Sequence, residues 1–368
     1  MNLPKWPVSG DREIELLREV LASSQWGGFH EMVARFETQF AEFQHARHAI
    51  SASNGTVTLE IALEAAGVGP GDEVIVPAHS FVATAMAVSR VGALPVFVDL
   101  EPYSFCIDPE RVAEAITPRT RAIIAVHFGG PMADVDRLVE IAEDNKVALI
   151  EDAAHAEGSE WRGRRAGTFG VCGSFSFQNG KVMTAGEGGA ITTNDDGFAG
   201  ACRSIVNQGR CPGESFYRHF RVASNYRLTA LQAAVLVAQL ERLPEQSDTR
   251  RRNEALIKDA LADLDGIRFQ EVHRACNTHS HYLLTGRIHR KKRDEFHQKA
   301  TAAGVPMTPF YPHTLYQNPV YRNGRCRVEP CPNAEAAVED GFWLPHRALL
   351  GDESTTQEIA EALRTAAL

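Results

Sequence analysis

Gly173-Ser-Phe-Ser-Phe-Gln-Asn-Gly-Lys-Val-Met-Thr-Ala-Gly-Glu-Gly-Gly189 is the stretch from which the rest of the chain is read. Gly173 to Phe177 alternates small and apolar residues and predicts a short strand. A polar turn, Gln178-Asn179-Gly180, then delivers a single lysine, Lys181. Gly186-Glu187-Gly188-Gly189 follows, where the backbone must bend sharply or approach something closely. Alone, the stretch reads as a β-hairpin with a solvated lysine at its tip. The sharper reading is a packed lysine whose ammonium is desolvated. Its neutral amine could then attack a carbonyl and form a Schiff base.

A second stretch upstream favours the sharper reading. Val147-Ala-Leu-Ile-Glu-Asp152 predicts a buried strand ending on an acid, and Ala153-Ala154-His155-Ala156 follows it. An acid at the carboxyl end of a buried parallel strand faces the crevice where open α/β sheets bind ligands. There it could pair with a protonated pyridine nitrogen; alone, it reads equally as a strand end or a helix cap. A strand-ending acid followed by a lysine is the order found in pyridoxal phosphate enzymes of the aspartate aminotransferase fold.

On these motifs, over roughly residues 4 to 350, the chain resembles the DegT/DnrJ/EryC1/StrS family of sugar aminotransferases. The Phe175–Gly189 run is most similar to two branches. One comprises the cyclitol aminotransferases acting on scyllo-inosose-type ketones in aminoglycoside antibiotic pathways. The other is 3-amino-5-hydroxybenzoate synthase, which uses the same cofactor to dehydrate and aromatise an amino-cyclohexenone.

The resemblance implies an α/β chain of the pyridoxal phosphate-dependent transferase fold type I. A large cofactor-binding domain with an N-terminal arm would cover residues 1–243, and a smaller α+β domain residues 244–368. It implies pyridoxal 5'-phosphate as cofactor, Lys181 as its anchor and proton carrier, and Asp152 as partner of the pyridine nitrogen. Gly55 and Thr56 would hold the phosphate, Phe81 would stack on the ring, and Ser176 would bind phosphate. Asn225 would reach the phosphate of a second subunit in a homodimer. His155 stands where much of the family has glutamine, and the benzoate synthase branch is similar to this chain in having histidine.

Each of these positions also has a plainer reading. Ser53-Asn54-Gly55-Thr56 precedes an apolar-periodic segment through Leu59, Ile61, Leu63 and Ala66 and is an ordinary helix start. A helix start is equally an anion site, because its N–H groups and dipole face outward. Phe81 reads as core, His155 as a core histidine, Ser176 as a buried hydroxyl and Asn225 as a helix cap.

The remaining chain is consistent with one alternating β/α plan. Strands are predicted at Ala49–Ala52, Glu73–Pro77, Leu94–Leu100, Ala122–His127 and Ala190–Thr193, with helices between, giving a mainly parallel sheet. Asp11 is expected to cap a helix from Arg12 to Ala22, and a second helix covers Met32 to Phe43. Gln25-Trp26-Gly27-Gly28 reads as a helix stop or, by resemblance, a segment near the substrate mouth. Pro244 is expected to interrupt a long apolar helix carrying Leu231, Val235, Leu240 and Leu243.

Composition bounds the function. The chain has 368 residues, enough for two domains, and a net charge of -9 offers no electrostatic attraction for nucleic acid or an acidic membrane. Seven cysteines with no CxxC pair suggest neither a disulfide framework nor a zinc site. No apolar run approaches a membrane span, the N-terminal residues lack signal-peptide character, and a cytoplasmic protein is expected. His279, His281, His313 and His346 fit no metal-ligand spacing and no acid is seen to accompany them, so no metal is expected, and Tyr311-Pro312-His313 and Leu344-Pro345-His346 read instead as loops that reach toward the substrate. The expectation is therefore an aminotransferase moving nitrogen from glutamate or glutamine to a keto sugar or keto cyclitol. The alternatives are the aromatising lyase and a non-enzymatic regulator of the same fold, the latter opposed by the presence of Lys181.

Overall fold

The computed structural model describes residues 1, 3–211, 213–322 and 324–368. Asn2 of the arm, Pro212 of the Cys211-Pro212-Gly213 segment and Asn323 lie outside the described residues.

Eight strands form the main sheet, in the order His48–Ala52, Gly189–Thr193, Cys172–Ser176, Ala148–Asp152, Thr120–Val126, Glu73–Pro77, Leu94–Val98, Arg327–Val328. Gly189–Thr193 runs antiparallel to both its neighbours, and the other pairings are parallel. The central strands are apolar on both faces because helices cover both faces: Ile50, Val74 and Ile124 pack into one core, Ile75, Ile123 and Leu149 into another. The expected β/α plan is thus the fold, the type I transferase architecture. A second sheet orders Ile267–Phe269, Leu283–Ile288, Gly341–Pro345 and Thr308–Pro309, antiparallel throughout.

Three local expectations are corrected. The first helix spans Asp11–Ala22, with Gly10 rather than Asp11 as its cap; the Glu13 carboxylate accepts the Gly10 N–H at 3.0 Å. Pro244 does not interrupt its helix, which runs unbroken from Ala230 to Ala260. A proline removes one N–H from the ladder, and the buried face either side, from Ala233 to Leu243 and on through Arg250 to Ile257, outweighs that loss. The 243/244 position therefore lies inside one helix. Leu344-Pro345-His346, expected as a loop, instead ends the strand Gly341–Pro345 and opens a short 3-10 helix, His346–Leu350.

Arg327–Val328 joins the main sheet from far along the chain, and Leu315, Tyr321, Cys331 and Ala334 pack with Phe97 beneath it. Among the described residues no helix is long and apolar enough to cross a membrane.

Candidate active site

The carboxyl ends of the central strands open on a cavity of about 770 Å³ lined by Gly55, Thr56, Phe81, Asp152, His155, Ser176 and Lys181, with Thr84, Gln178, Glu187, Tyr282 and Tyr311 beside them. Seven of the eight residues named from sequence meet there. Asn225 is exposed on its own chain, its Oδ1 accepting the Arg227 N–H at 3.3 Å, and does not line this cavity. Gly28 lines a separate cavity of about 340 Å³ with Arg203 and Arg227.

The floor is built by paired strands. Cys172–Ser176 and Gly189–Thr193 do form an antiparallel pair, as the hairpin reading requires, but the lysine in their connection is not a solvated tip. Lys181 reaches inward, its Nζ 4.9 Å from the centre of the Tyr282 ring. Burial pushes its ammonium pKa down, while the carboxylates of Glu157 and Asp152 oppose that shift. The glycines are dictated by close approach. A Cβ on Gly189 would lie 2.6 Å from the carbonyl carbon of Asn54, and Gly186 holds φ +81°. The Gly-Gly pair thus lets this turn press against the start of the helix Gly55–Ala65.

That helix start is half spent and half open. Asn54 caps it by accepting the Val57 N–H at 3.0 Å, which leaves the N–H groups of Gly55 and Thr56 as the unsatisfied first turn facing the cavity. Gly55 faces Ser176 so closely that a Cβ there would fall 2.6 Å from the serine Cβ. The helix-start reading holds, with Asn54 as the cap, and the first-turn residues Gly55 and Thr56 line the cavity.

Asp152 is buried at the end of its strand. Oδ2 accepts the Thr84 hydroxyl at 2.8 Å, and Oδ1 the Ala154 N–H at 3.4 Å. Burial raises its carboxyl pKa, opposed by the Thr84 bond and the Lys181 charge. A cationic nitrogen placed against it would restore the ionised form. The neighbouring Glu151 turns the other way: it bonds His127 Nε2 at 3.0 Å and accepts the N–H groups of Gly167, Phe169 and Gly170. Adjacent acids thereby divide into one that faces the cavity and one that ties loops.

His155 has an assigned tautomer. Its Nδ1 accepts the Gly129 N–H at 3.2 Å, so the ring proton resides on Nε2. Burial holds its pKa well below the usual imidazole value, so the ring is neutral. Tyr282 stacks on it at 4.3 Å. Phe81 keeps 54 % of its surface exposed, the state of a ring that has a face free for a flat partner.

Thr84, Tyr282 and Glu157 were not singled out from sequence, whereas Tyr311 comes from a segment expected to reach toward the substrate and does line the cavity. Thr84 stands three residues after Phe81, and its position opposite Asp152 depends on strand order alone. Glu157 is 1 % exposed with both carboxylate oxygens unpartnered, and burial pushes its pKa up to about 8. The histidines also part from expectation. Glu254, from the long helix, does join His279 and His281, since their ligand atoms lie within 4.8 Å of one another. These groups already satisfy each other: His281 Nδ1 donates to Glu254 at 2.7 Å and Lys258 pairs with the same carboxylate at 2.6 Å. The cluster holds His281 in a left-handed backbone, φ 53°, immediately before Tyr282.

The donor set suits a flat, phosphorylated, nitrogenous cofactor: N–H groups and a hydroxyl at one end, an acid at the other, an amine at the floor and an exposed ring above. Known proteins agree with the architecture. The chain is 38% identical over 380 residues to 3-amino-5-hydroxybenzoate synthase of Amycolatopsis mediterranei (strain S699), covering 99% of this chain and 97% of that protein. It is likewise 38% identical over 391 residues to L-glutamine:2-deoxy-scyllo-inosose aminotransferase of Micromonospora echinospora, covering 98% and 93%. A crystal structure of 3-amino-5-hydroxybenzoic acid synthase superposes with a TM-score of 0.94 at 37% identity, covering 99% and 98% of the two chains. The profile of one family matches residues 7–364, nearly the whole length over which strands, cavity and lysine turn have been described, and so the chain belongs to the DegT/DnrJ/EryC1/StrS aminotransferase family.

Proposed function

We propose that the chain transfers an amino group from glutamate or glutamine to a keto sugar or keto cyclitol, with pyridoxal 5'-phosphate as the carrier. The observation that carries this reading is the convergence of Lys181 and Asp152 on one cavity whose far wall is an open helix start. When bound, the cofactor would supply the electron sink that makes the carbon bearing nitrogen acidic.

The protein's part is binding, orientation and proton movement. The N–H groups of Gly55 and Thr56 and the Ser176 hydroxyl would hold the phosphate. Asp152 would keep the ring nitrogen protonated, Phe81 would cover a ring face, and His155 would donate its Nε2 proton to the ring oxygen. Lys181 Nζ, anchor in the resting state, would take the proton from the substrate carbon and return it to the carbon on the far side of the nitrogen, a 1,3-shift. Asn225 of one subunit would complete the phosphate site of the other in a homodimer. Residues 1–243 would carry the cofactor and 244–368 would supply Tyr282 and Tyr311. The enzyme would be cytoplasmic.

Borohydride reduction of the cofactor-loaded protein tests the assignment. The label is expected on Lys181 alone, and Lys181→Ala should bind cofactor without turnover. Label on another lysine removes the reading. The similarity to 3-amino-5-hydroxybenzoate synthase keeps a second reading, dehydration and aromatisation. A panel of keto cyclitols and keto sugars with glutamine or glutamate separates the two, because only the second releases an aromatic product.

A further inference from the structure

The turn that presents Lys181 is exposed at Gln178, Asn179 and Gly180, yet its backbone is held from outside by two donors. Trp6, in the N-terminal arm, donates Nε1–H to the Asn179 carbonyl at 2.8 Å. His346, at the end of the Gly341–Pro345 strand, lies 3.1 Å by Nε2 from the Gly180 carbonyl. A carbonyl only accepts, so Nε2 carries the proton. The two rings touch edge to face at 4.4 Å. Each is fixed in turn. The Val8 carbonyl accepts from Gln239 Nε2 at 2.7 Å and from Arg242 Nη1 at 2.6 Å, pinning the arm to the long helix. The His346 N–H donates to the Tyr282 carbonyl at 2.8 Å, and the His346 ring stacks on Tyr282, which in turn stacks on His155.

Within the turn the Lys181 N–H donates to the Gln178 carbonyl at 2.9 Å and the Gly180 N–H to Gln178 Oε1 at 2.7 Å, so its local shape is set from inside, and what ties that exposed turn to the rest of the fold is the pair of outside bonds on the Asn179 and Gly180 carbonyls. Burial keeps the His346 imidazole neutral, so it has one N–H on the ring, and that one is spent on Gly180. We propose that Trp6 and His346 act as positioning residues for Lys181, a clamp from the two ends of the chain that sets the approach of the amine to the cavity. The inference rests on Lys181 being the cofactor anchor, and the N-terminal arm then becomes part of the active site rather than packing.

Trp6→Phe keeps the ring contact and removes the N–H; His346→Phe does the same from the other side, and His346→Gln restores a donor. In the cofactor-free protein, hydrogen–deuterium exchange at Asn179–Val182 should quicken about fivefold in Trp6→Phe, from loss of one such bond, with exchange elsewhere unchanged. Capture of pyridoxal phosphate should slow by a similar factor. kcat should fall while KM is kept, and His346→Gln should recover most of what His346→Phe loses. Wild-type exchange and wild-type capture in both Trp6→Phe and His346→Phe would overturn the clamp. The exchange measurement needs no cofactor, so it decides the clamp even if borohydride labelling fails to find Lys181.

Discussion

Replacing Asp152 by asparagine changes one charge and almost no volume. The carboxylate is buried, and both its oxygens accept from donors, Thr84 Oγ1–H at 2.8 Å and the Ala154 N–H at 3.4 Å. An asparagine can satisfy one of these with its oxygen and must turn its amide toward the other, where the Thr84 hydroxyl can rotate to accept. The hydrogen bonds therefore largely survive and the fold should too. What disappears is the attraction for a protonated ring nitrogen. A close ion pair at about 4 Å is worth about 4 kcal/mol at an effective dielectric near 20. The amide dipole retains part of that, leaving a loss of about 2.7 kcal/mol, or about 100-fold in turnover. The assay is single-turnover conversion of the cofactor by the amino donor, with folding checked by circular dichroism. Thr84→Val is the companion, since it removes one hydrogen bond and keeps the charge, and should cost no more than about tenfold. A turnover within about fivefold of wild type in Asp152→Asn would refute the electrostatic role and leave Asp152 a strand end.

Mixing inactive Lys181→Ala with inactive Asn225→Asp should restore up to about a quarter of wild-type activity, if mixed dimers form at random and each contains one site with both native residues; no recovery in a sample shown by mass to hold mixed dimers defeats the shared site. Glu157 should lower stability as pH rises. Its folded pKa is raised from 4.5 to about 8, so the folded state retains a proton that the unfolded state releases across that window. In the cofactor-free protein Glu157→Gln should raise Tm by about 3 °C at pH 8 and have little effect at pH 5; a lower Tm at pH 8 would mean its carboxylate is needed. Gly189→Ala drives a Cβ to 2.6 Å from the Asn54 backbone, which cannot swing aside, and should cost about 2–3 kcal/mol in urea unfolding together with weaker cofactor binding.

The strand-ending Asp152, the Gly-rich turn after Lys181 and the polar start at Asn54 were legible in the sequence because each is a local pattern. A buried parallel strand must be apolar throughout, a tight backbone approach must be glycine, and a helix start must be capped. The lysine itself was ambiguous in isolation. A hairpin tip and a cavity floor have the same local sequence, and only the helix Gly55–Ala65 pressed against Gly189 separates them. The continuity of the helix through Pro244 was hidden for a related reason, since its apolar partners on both sides are distant in sequence.

Periodicity and backbone sterics carried the β/α plan, whereas the roles expected of Gly55, Thr56, Ser176 and Asp152 came from the resemblance, since each of these residues alone also fits a helix start, a buried hydroxyl or a strand end. The remote groups that complete the site were brought in by packing: Thr84 on Asp152, Tyr282 against His155 and Lys181, Glu254 beside His279 and His281, Trp6 and His346 on the lysine turn. The partners in these contacts lie far apart along the chain, up to 173 residues for Trp6 and Asn179. Their proximity follows from strand order and helix packing, which no window of local sequence contains.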